Sequence, residues 1–321
     1  MAEDRFAAGR TDGRRLGGSW KPLALLLTAA AGILVTMYSA HAQRQPAAAT
    51  ATATGTAASS TRPAGNLRPF SVASFNVLYT NPDLGKMVEV IKLADADLVA
   101  LQETNAQSVA AIKKHLGKAY PHSHFTYAQA AGGLGLISRS PLKNIKLLPP
   151  HKEAWFGTLM ADVELGGQTV RVASVHLFPN LVGRGQGLAG VLTAFQKNEA
   201  IRRKEIEAIC AQLPKGKPVI LMGDFNCFSS SSAPAYLAGK GFVDSAGTGA
   251  AADKATTWKG DWGGQTYTFR IDYVFHTSDM TTTRSAVIPS GQASDHDLVL
   301  ARLKWKPAPA TATATATATA P

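Results

Sequence analysis

Between residues 71 and 303 the chain repeats one pattern: a short, mostly apolar run of strand length meets a polar side chain at its edge. SVASFNV (71–77) carries Asn76, DLVALQE (97–103) ends on Glu103, TVRVASVHL (169–177) carries His176, and VILMGDFN (219–226) ends on Asp224 and Asn226. IDYVFHT (271–277) carries Asp272, DLVLARL (297–303) follows Asp295 and His296, and GLGLISR (133–139) has the same strand character. Runs of this length, rich in valine and isoleucine, read as strands. Some alternate in polarity and others are continuously apolar, which points to stacked sheets with helices outside rather than one parallel sheet. Helical patterns lie between them. LGKMVEVIKLA (84–94) places Met87, Val90, Ile91 and Ala94 on one face, and NEAIRRKEIEAICAQL (198–213) does the same with Ile201, Ile206, Ile209 and Leu213. Within the second, Arg202-Arg203-Lys204 reads as a solvated helix face.

The polar strand ends are where a rigid sheet holds convergent side chains best. A lone Glu or His at such a place is ordinary, and Gly, Asp and Asn are turn formers in their own right. Their recurrence at one run after another is what points to a site. Asp224 and Asn226 lie two apart, so in extended chain both project to one side. Amide and carboxylate oxygens suit a hard cation, magnesium or manganese. Histidines beside carboxylates suit proton transfer or phosphate contact. No cysteine cluster, HExxH, P-loop or G-x-S-x-G occurs. A hard cation with His, Asp and Asn fits hydrolysis of a phosphate ester, in which an Asp or His activates water. The net charge of +11, about +7 of it within 66–306, suits an anionic substrate without requiring nucleic acid.

The ordered series SFNVLY, LVALQET, ISRSPL, SVHLFPN, VILMGDFN, RIDYVF and SDH resembles the endonuclease/exonuclease/phosphatase superfamily, the DNase I-like proteins, over nearly all of 70–303. That family includes DNase I, exonuclease III-like repair nucleases, inositol-polyphosphate 5-phosphatases and neutral sphingomyelinases. The resemblance implies an α/β fold, a four-layer α/β sandwich of two packed mixed sheets flanked by helices. It implies that Asn76 and Glu103 hold a divalent metal with Asp295 beside it. Asp224 would align or deprotonate the attacking water, and Asn226 would contact the phosphoryl group. His296 would bind phosphate or act as acid or base, oriented by Asp272, and His176 would match the first catalytic histidine of the DNase I and sphingomyelinase branches. In one place the chain departs from the pattern: after SFN, Leu78 stands where some nucleases carry an acidic ligand, so a single-metal site on Glu103 is the simpler expectation.

Outside this unit the sequence changes character. Basic residues Arg5 to Lys21 precede an uncharged stretch, PLALLLTAAAGILVTMYSA (22–40), and a small-x-small AHA (40–42). Residues 1–45 therefore read as a cleaved signal peptide or an uncleaved signal anchor, with membrane attachment through 22–40 in the second case. Both readings place the rest outside the cytoplasm: periplasmic, secreted or anchored. Residues 46–65 and 307–321 are Ala/Thr/Pro tracts that lack the apolar bulk to fold, a disordered linker and tail around a catalytic domain at 66–306. Cys210 and Cys227 should be unpaired. A strand's length separates them, about 20 Å at ~3.3 Å per residue, far beyond disulfide reach.

The substrate stays open: a lipid or sugar phosphate ester, a nucleotide or nucleic acid as for a secreted endonuclease, or none, for a silent binding protein on the same fold. FPNLVGRGQGLAGVL (178–192) reads either as a mobile apolar flap or as a loop covering the core. A monomer is expected.

Overall fold

The structure, a computed structural model, describes residues 67–181, 187–247, 252, 254–262 and 265–307. The segments read as export signal, linker and tail fall outside these residues, apart from Pro307. In chain order the strands are β1 (Phe70–Asn76), β2 (Leu98–Gln102), β3 (His122–Phe125), β4 (Leu134–Ser138), β5 (Leu142–Leu148), β6 (Thr158–Leu165) and β7 (Gln168–His176). They continue with β8 (Val219–Asp224), β9 (Val243–Asp244), β10 (Trp258–Trp262), β11 (Gln265–Phe269), β12 (Asp272–His276), β13 (Met280–Ile288) and β14 (Leu298–Trp305). The α-helices are α1 (Leu84–Ala94), α2 (Ala106–Leu116), α3 (Leu188–Ala211) and α4 (Ser232–Gly239).

Two six-stranded mixed sheets form, in the orders β13-β14-β1-β2-β4-β3 and β5-β6-β7-β8-β12-β9, with β10 and β11 as a separate hairpin. Alternate residues of facing strands meet between the sheets: Val72, Leu98 and Leu136 of the first pack with Val172, Met222 and Val274 of the second. The opposite face of the first sheet (Phe75, Leu101, Leu300) is covered by Met87 and Ile91 of α1 and Ile112 of α2. That of the second (Val175, Leu221, Phe275) is covered by Ile206 of α3 and Leu237 of α4. The layers are therefore helix, sheet, sheet, helix, the sandwich expected from the strand pattern.

Local sequence sets the boundaries. Asp83 caps α1 by accepting the Lys86 N–H at 2.8 Å. Asn105 and Ser108 close a reciprocal capping box at the start of α2. Each such cap contributes ~1 kcal/mol. The crossover helices make β1 parallel to β2 and β7 parallel to β8, so four carboxyl-terminal strand ends lie at one edge. Gly223 allows the second of these pairings. Its φ is +153°, and a Cβ there would lie 1.8 Å from the carbonyl oxygen of Val175, its partner in β7.

Three readings are corrected. The helix expected to begin at 198 starts at Leu188, so residues 188–192 of the segment read as a flap or a covering loop are helical, while 182–186 lie outside the described residues. Arg202 does not lie on a solvated face; it is fully buried at 0% exposure, because its donors are taken up by side-chain and main-chain oxygens. Asn226 does not continue the strand. Strand β8 stops at Asp224 and Asn226 adopts φ +52°, so alternation along extended chain is not what brings the two together. Both cysteines are free.

Candidate active site

Sheet register places the polar strand ends side by side. Asn76 pairs with Gln102 across β1 and β2, His176 with Asp224 across β7 and β8, and Asp272 with Asp224 across β12 and β8. The two sheets are tied just below by polar contacts. Gln102 Nε2 donates to Ser174 Oγ at 3.0 Å and its Oε1 accepts from Ser74 Oγ at 3.3 Å. Above them Asn76 Nδ2 reaches both Glu103 Oε1, at 3.0 Å, and Asp224 Oδ2, at 3.1 Å. Its Oδ1 accepts the Leu78 N–H at 3.1 Å, so in this orientation Asn76 acts as a donor bracing two carboxylates.

Three non-glycine residues here have left-handed backbone: Leu78 (φ +58°), Glu103 (φ +58°) and Asn226 (φ +52°). Asn accepts that region readily; Leu and Glu do so at a cost, and such positions concentrate at functional sites. At Glu103 the turn out of β2 swings the carboxylate back over the sheet edge, where Oε2 accepts the Tyr79 N–H at 3.1 Å. At Asn226 it brings the N–H onto Asp224 Oδ1 at 2.8 Å and the side-chain amide onto the Leu177 carbonyl at 2.9 Å. A local turn closed by Asp224 itself is what joins these two residues.

Asp224 is the hub. Its Oδ2 lies 3.6 Å from His176 Nε2 and 3.6 Å from His296 Nε2. His296 Nδ1 meets Asp272 Oδ2 at 2.9 Å, which in turn accepts the Thr257 hydroxyl at 2.6 Å. Ser294, in the SDH turn, donates to the Asn76 carbonyl at 2.8 Å and accepts the His296 N–H. Asp295 Oδ2 accepts the Trp258 indole N–H at 3.0 Å. His176 is stacked under Phe156, with ring centroids 3.9 Å apart, and its Nδ1 lies near the Ala131 backbone without closing a hydrogen bond.

Environment sorts these groups by charge. Burial, aided by the positive charge of His296, pushes His176 down to about 3, so its ring is neutral. Burial opposes the charge on His296 too, but the Asp272 and Asp224 carboxylates outweigh it and hold that imidazole up at about 10. Burial pushes Asp224 up to about 7 against the pull of His296. Glu103 is raised by burial against its bonds from Asn76 and Tyr79.

The donor set fits a divalent cation. Glu103, Asp224, Asp272 and Asp295 converge, and the His296 imidazolium acts on both Glu103 and Asp224. The buried Oδ1 atoms of Asp272 and Asp295 have no hydrogen-bond partner among the described residues. Among the described residues, Asp224, Asp272 and His296 bring ligand atoms within 4.8 Å of one another. However, a protonated imidazole paired to Asp272 cannot ligate. The half-buried Glu103 carboxylate, with Asp295 nearby, is the better hard-oxygen platform.

All eight residues singled out in the sequence thus lie around one edge, six of them in a connected hydrogen-bond and ion-pair network, with the neutral His176 ring 3.6 Å from Asp224 and Asp295 held beside the network by Trp258. Thr257, Ser294, Trp258 and Phe156 also belong to the site, and no local sequence pattern marks Thr257, Trp258 or Phe156. Ser294 lies inside the SDH motif.

Residues 73–296 match the model of the Endonuclease/Exonuclease/phosphatase family. Among solved structures, the chain is similar to an endonuclease/exonuclease/phosphatase from Beutenbergia cavernae, with 18% identity, TM-score 0.55, and coverage of 76% of this chain and 73% of that one. It is also similar to D. rerio TDP2 complexed with single strand DNA product, with 19% identity, TM-score 0.57, and 73% and 98% coverage. For a Staphylococcus aureus beta toxin the values are 17%, 0.51, and 72% and 99%. No curated protein matches the chain significantly. These likenesses share the fold, and the match over 73–296 supports hydrolysis of phosphoesters: the chain belongs to the endonuclease/exonuclease/phosphatase family.

Proposed function

We propose that the protein is a divalent-metal-dependent phosphodiesterase or phosphatase that acts outside the cytoplasm. The observation that carries the reading is Asp224, a buried carboxylate held between a neutral and a cationic imidazole beside the acidic cluster of Glu103, Asp272 and Asp295. Glu103, with Asp295 and, were its amide reversed, Asn76, would hold magnesium or manganese. A bound cation supplies charge neutralisation at the phosphoryl oxygens.

The chain's own residues do the rest. Asp224, raised by burial, accepts a proton from the attacking water, and its turn with Asn226 fixes the carboxylate's orientation. His296, kept cationic and oriented by Asp272, offers its Nε2–H to a phosphoryl oxygen or the departing alkoxide. His176, neutral beneath Phe156, offers a second imidazole edge to the same phosphate. The phosphorus–oxygen bond to the leaving group breaks as the water oxygen bonds to phosphorus. Export is supported by the basic-then-apolar segment ending at residue 42. No described helix is long and apolar enough to cross a membrane.

For the substrate, exposed aromatics on loops bordering the site favour an ester with an apolar or lipid portion. They are Tyr79, Trp155 (43% exposed) and Tyr127 (78% exposed). A nucleic-acid substrate is the second reading, favoured by the likeness to a structure holding single strand DNA product. Plasmid DNA, sphingomyelin vesicles, phosphoinositide vesicles and bis(para-nitrophenyl) phosphate, assayed side by side with magnesium, separate these readings. Glu103→Gln should abolish turnover while leaving the fold intact. Retained activity with unchanged magnesium dependence would overturn the assignment.

A further inference from the structure

Helix α3 buries an unusual stripe. Asn198, Glu199, Arg202 and Glu205 follow one another at helical spacing on the face turned to the protein, where Ile206 and Ile209 continue it as ordinary core. Burying three ionisable groups is costly unless every donor and acceptor is met. Here they are met by one piece of main chain. Arg202 Nη1 donates to the Phe178 carbonyl at 3.0 Å, and the Phe178 N–H donates to Glu205 Oε2 at 2.9 Å. Both polar groups of a single peptide residue are thus held by side chains one helical turn apart. Arg202 is locked from behind by Glu199 Oε1, while Glu199 Oε2 accepts the N–H of Ser232 at the start of α4, at 3.0 Å. Asn198 adds a bond to the Leu181 carbonyl at 3.0 Å.

Phe178 lies two residues beyond His176. Its ring packs edge-on against Trp155 at 5.2 Å, and the neighbouring Phe156 is the ring stacked on His176. The intervening Leu177 donates its N–H to the Asp224 carbonyl and accepts from Asn226. The geometry points to Arg202 and Glu205 as positioning residues: by clamping the Phe178 peptide from α3, they set the His176 imidazole against Asp224. This rests on the reading of His176 and Asp224 as the reacting groups. A hydrophobic pair would cover the strand end equally well, but it would leave both peptide groups of Phe178 without partners.

The test is a double-mutant cycle on the full-length protein, assayed with bis(para-nitrophenyl) phosphate and magnesium. Glu205→Leu removes the acceptor and should lower kcat about 10²-fold with little change in KM, the scale expected for a reacting group displaced by an ångström. Glu205→Gln keeps an acceptor for the Phe178 N–H and should restore activity to within a few-fold of the parent. Combined with His176→Ala, Glu205→Leu should cost almost nothing more, because a residue acting through His176 has nothing left to position. Should Glu205→Leu not fold, the same cycle is run with Arg202→Lys, which keeps the buried charge but not the fork. An additive loss in the double variant, or a Glu205→Gln as impaired as Glu205→Leu, would overturn the proposal. If His176→Ala itself retained full activity, the reading of His176 would fail instead, and the two failures are distinguishable.

Discussion

Replacing Gly223 by alanine should damage stability and catalysis together. The added Cβ would stand 1.8 Å from the Val175 carbonyl oxygen, 2.7 Å from its carbon and 2.9 Å from its nitrogen. All three atoms are backbone of the strand to which β8 is paired, so no side chain can swing aside. A φ of +153° adds strain of ~1–3 kcal/mol for a residue with a Cβ. Relieving the overlap by parting β7 from β8 costs a further ~1–3 kcal/mol, as for other overpacked interiors. The sum, about 2–6 kcal/mol, is a large share of a domain's ~5–15 kcal/mol. At ~2–4 °C per kcal/mol for a domain of this size, Tm should fall by about 10 °C. The next pair in the register is His176 with Asp224, so the same parting pulls the imidazole from the carboxylate and should reduce kcat ~10²-fold. Thermal unfolding followed by circular dichroism, with hydrolysis of bis(para-nitrophenyl) phosphate below Tm, gives both numbers. A variant that melts with the parent and turns over normally would refute the reasoning about this strand pair.

His296→Ala and Asp224→Ala should each lose ~10²–10⁴-fold in rate as acid–base groups. Asp272→Asn, which still accepts the His296 N–H at 2.9 Å, should lose less than His296→Ala. Rates for the three variants on one substrate check the order, and a worse Asp272→Asn would refute the orienting role. His276 is held neutral, burial lowering its pKa while its two ring nitrogens bond Thr277 and Thr282. The unfolded chain therefore takes up this proton first, so His276 should destabilise the fold as pH falls below about 6.5 and contribute nothing above it. Urea unfolding from pH 7 to 5 should lose stability more steeply in the parent than in His276→Gln; parallel curves would contradict this. Burial pushes the Cys210 thiol up to about 11 and Cys227 higher still. A thiol reagent at pH 8 should label neither cysteine in the native protein and both after denaturation.

Much of this was legible in the sequence because two periodicities survive folding unchanged. The span of α1 coincides with its apolar spacing at Met87, Val90, Ile91 and Ala94, and the strands carrying Asn76, His176, Asp224 and Asp272 fall where the apolar runs lie. What escaped notice are features set by long-range contacts. Arg202 reads as solvent-facing because, besides Glu199 on its own helix, its partner is a main-chain carbonyl 24 residues away, which no local pattern shows. The exposed, lysine-bearing β5 hides among polar residues because it lies at a sheet edge. Phe156, just before the neighbouring strand β6, stacks on His176, and no local pattern announces that. Asn226 was placed beside Asp224 for a mistaken reason. Extended chain would have aligned them, whereas a left-handed residue and an Asp-closed turn do so in fact.

The central claim, that a hard cation on Glu103 and its neighbours serves a phosphoester hydrolysis run by Asp224 and His296, is tested most directly by one titration. Purified full-length protein is stripped with a chelator and assayed on bis(para-nitrophenyl) phosphate while magnesium is added back, alongside Glu103→Gln. The account predicts no turnover without metal, saturable recovery in the parent and no recovery in the variant. Turnover that survives chelation, or a Glu103→Gln protein that recovers with the same magnesium dependence as the parent, would contradict it.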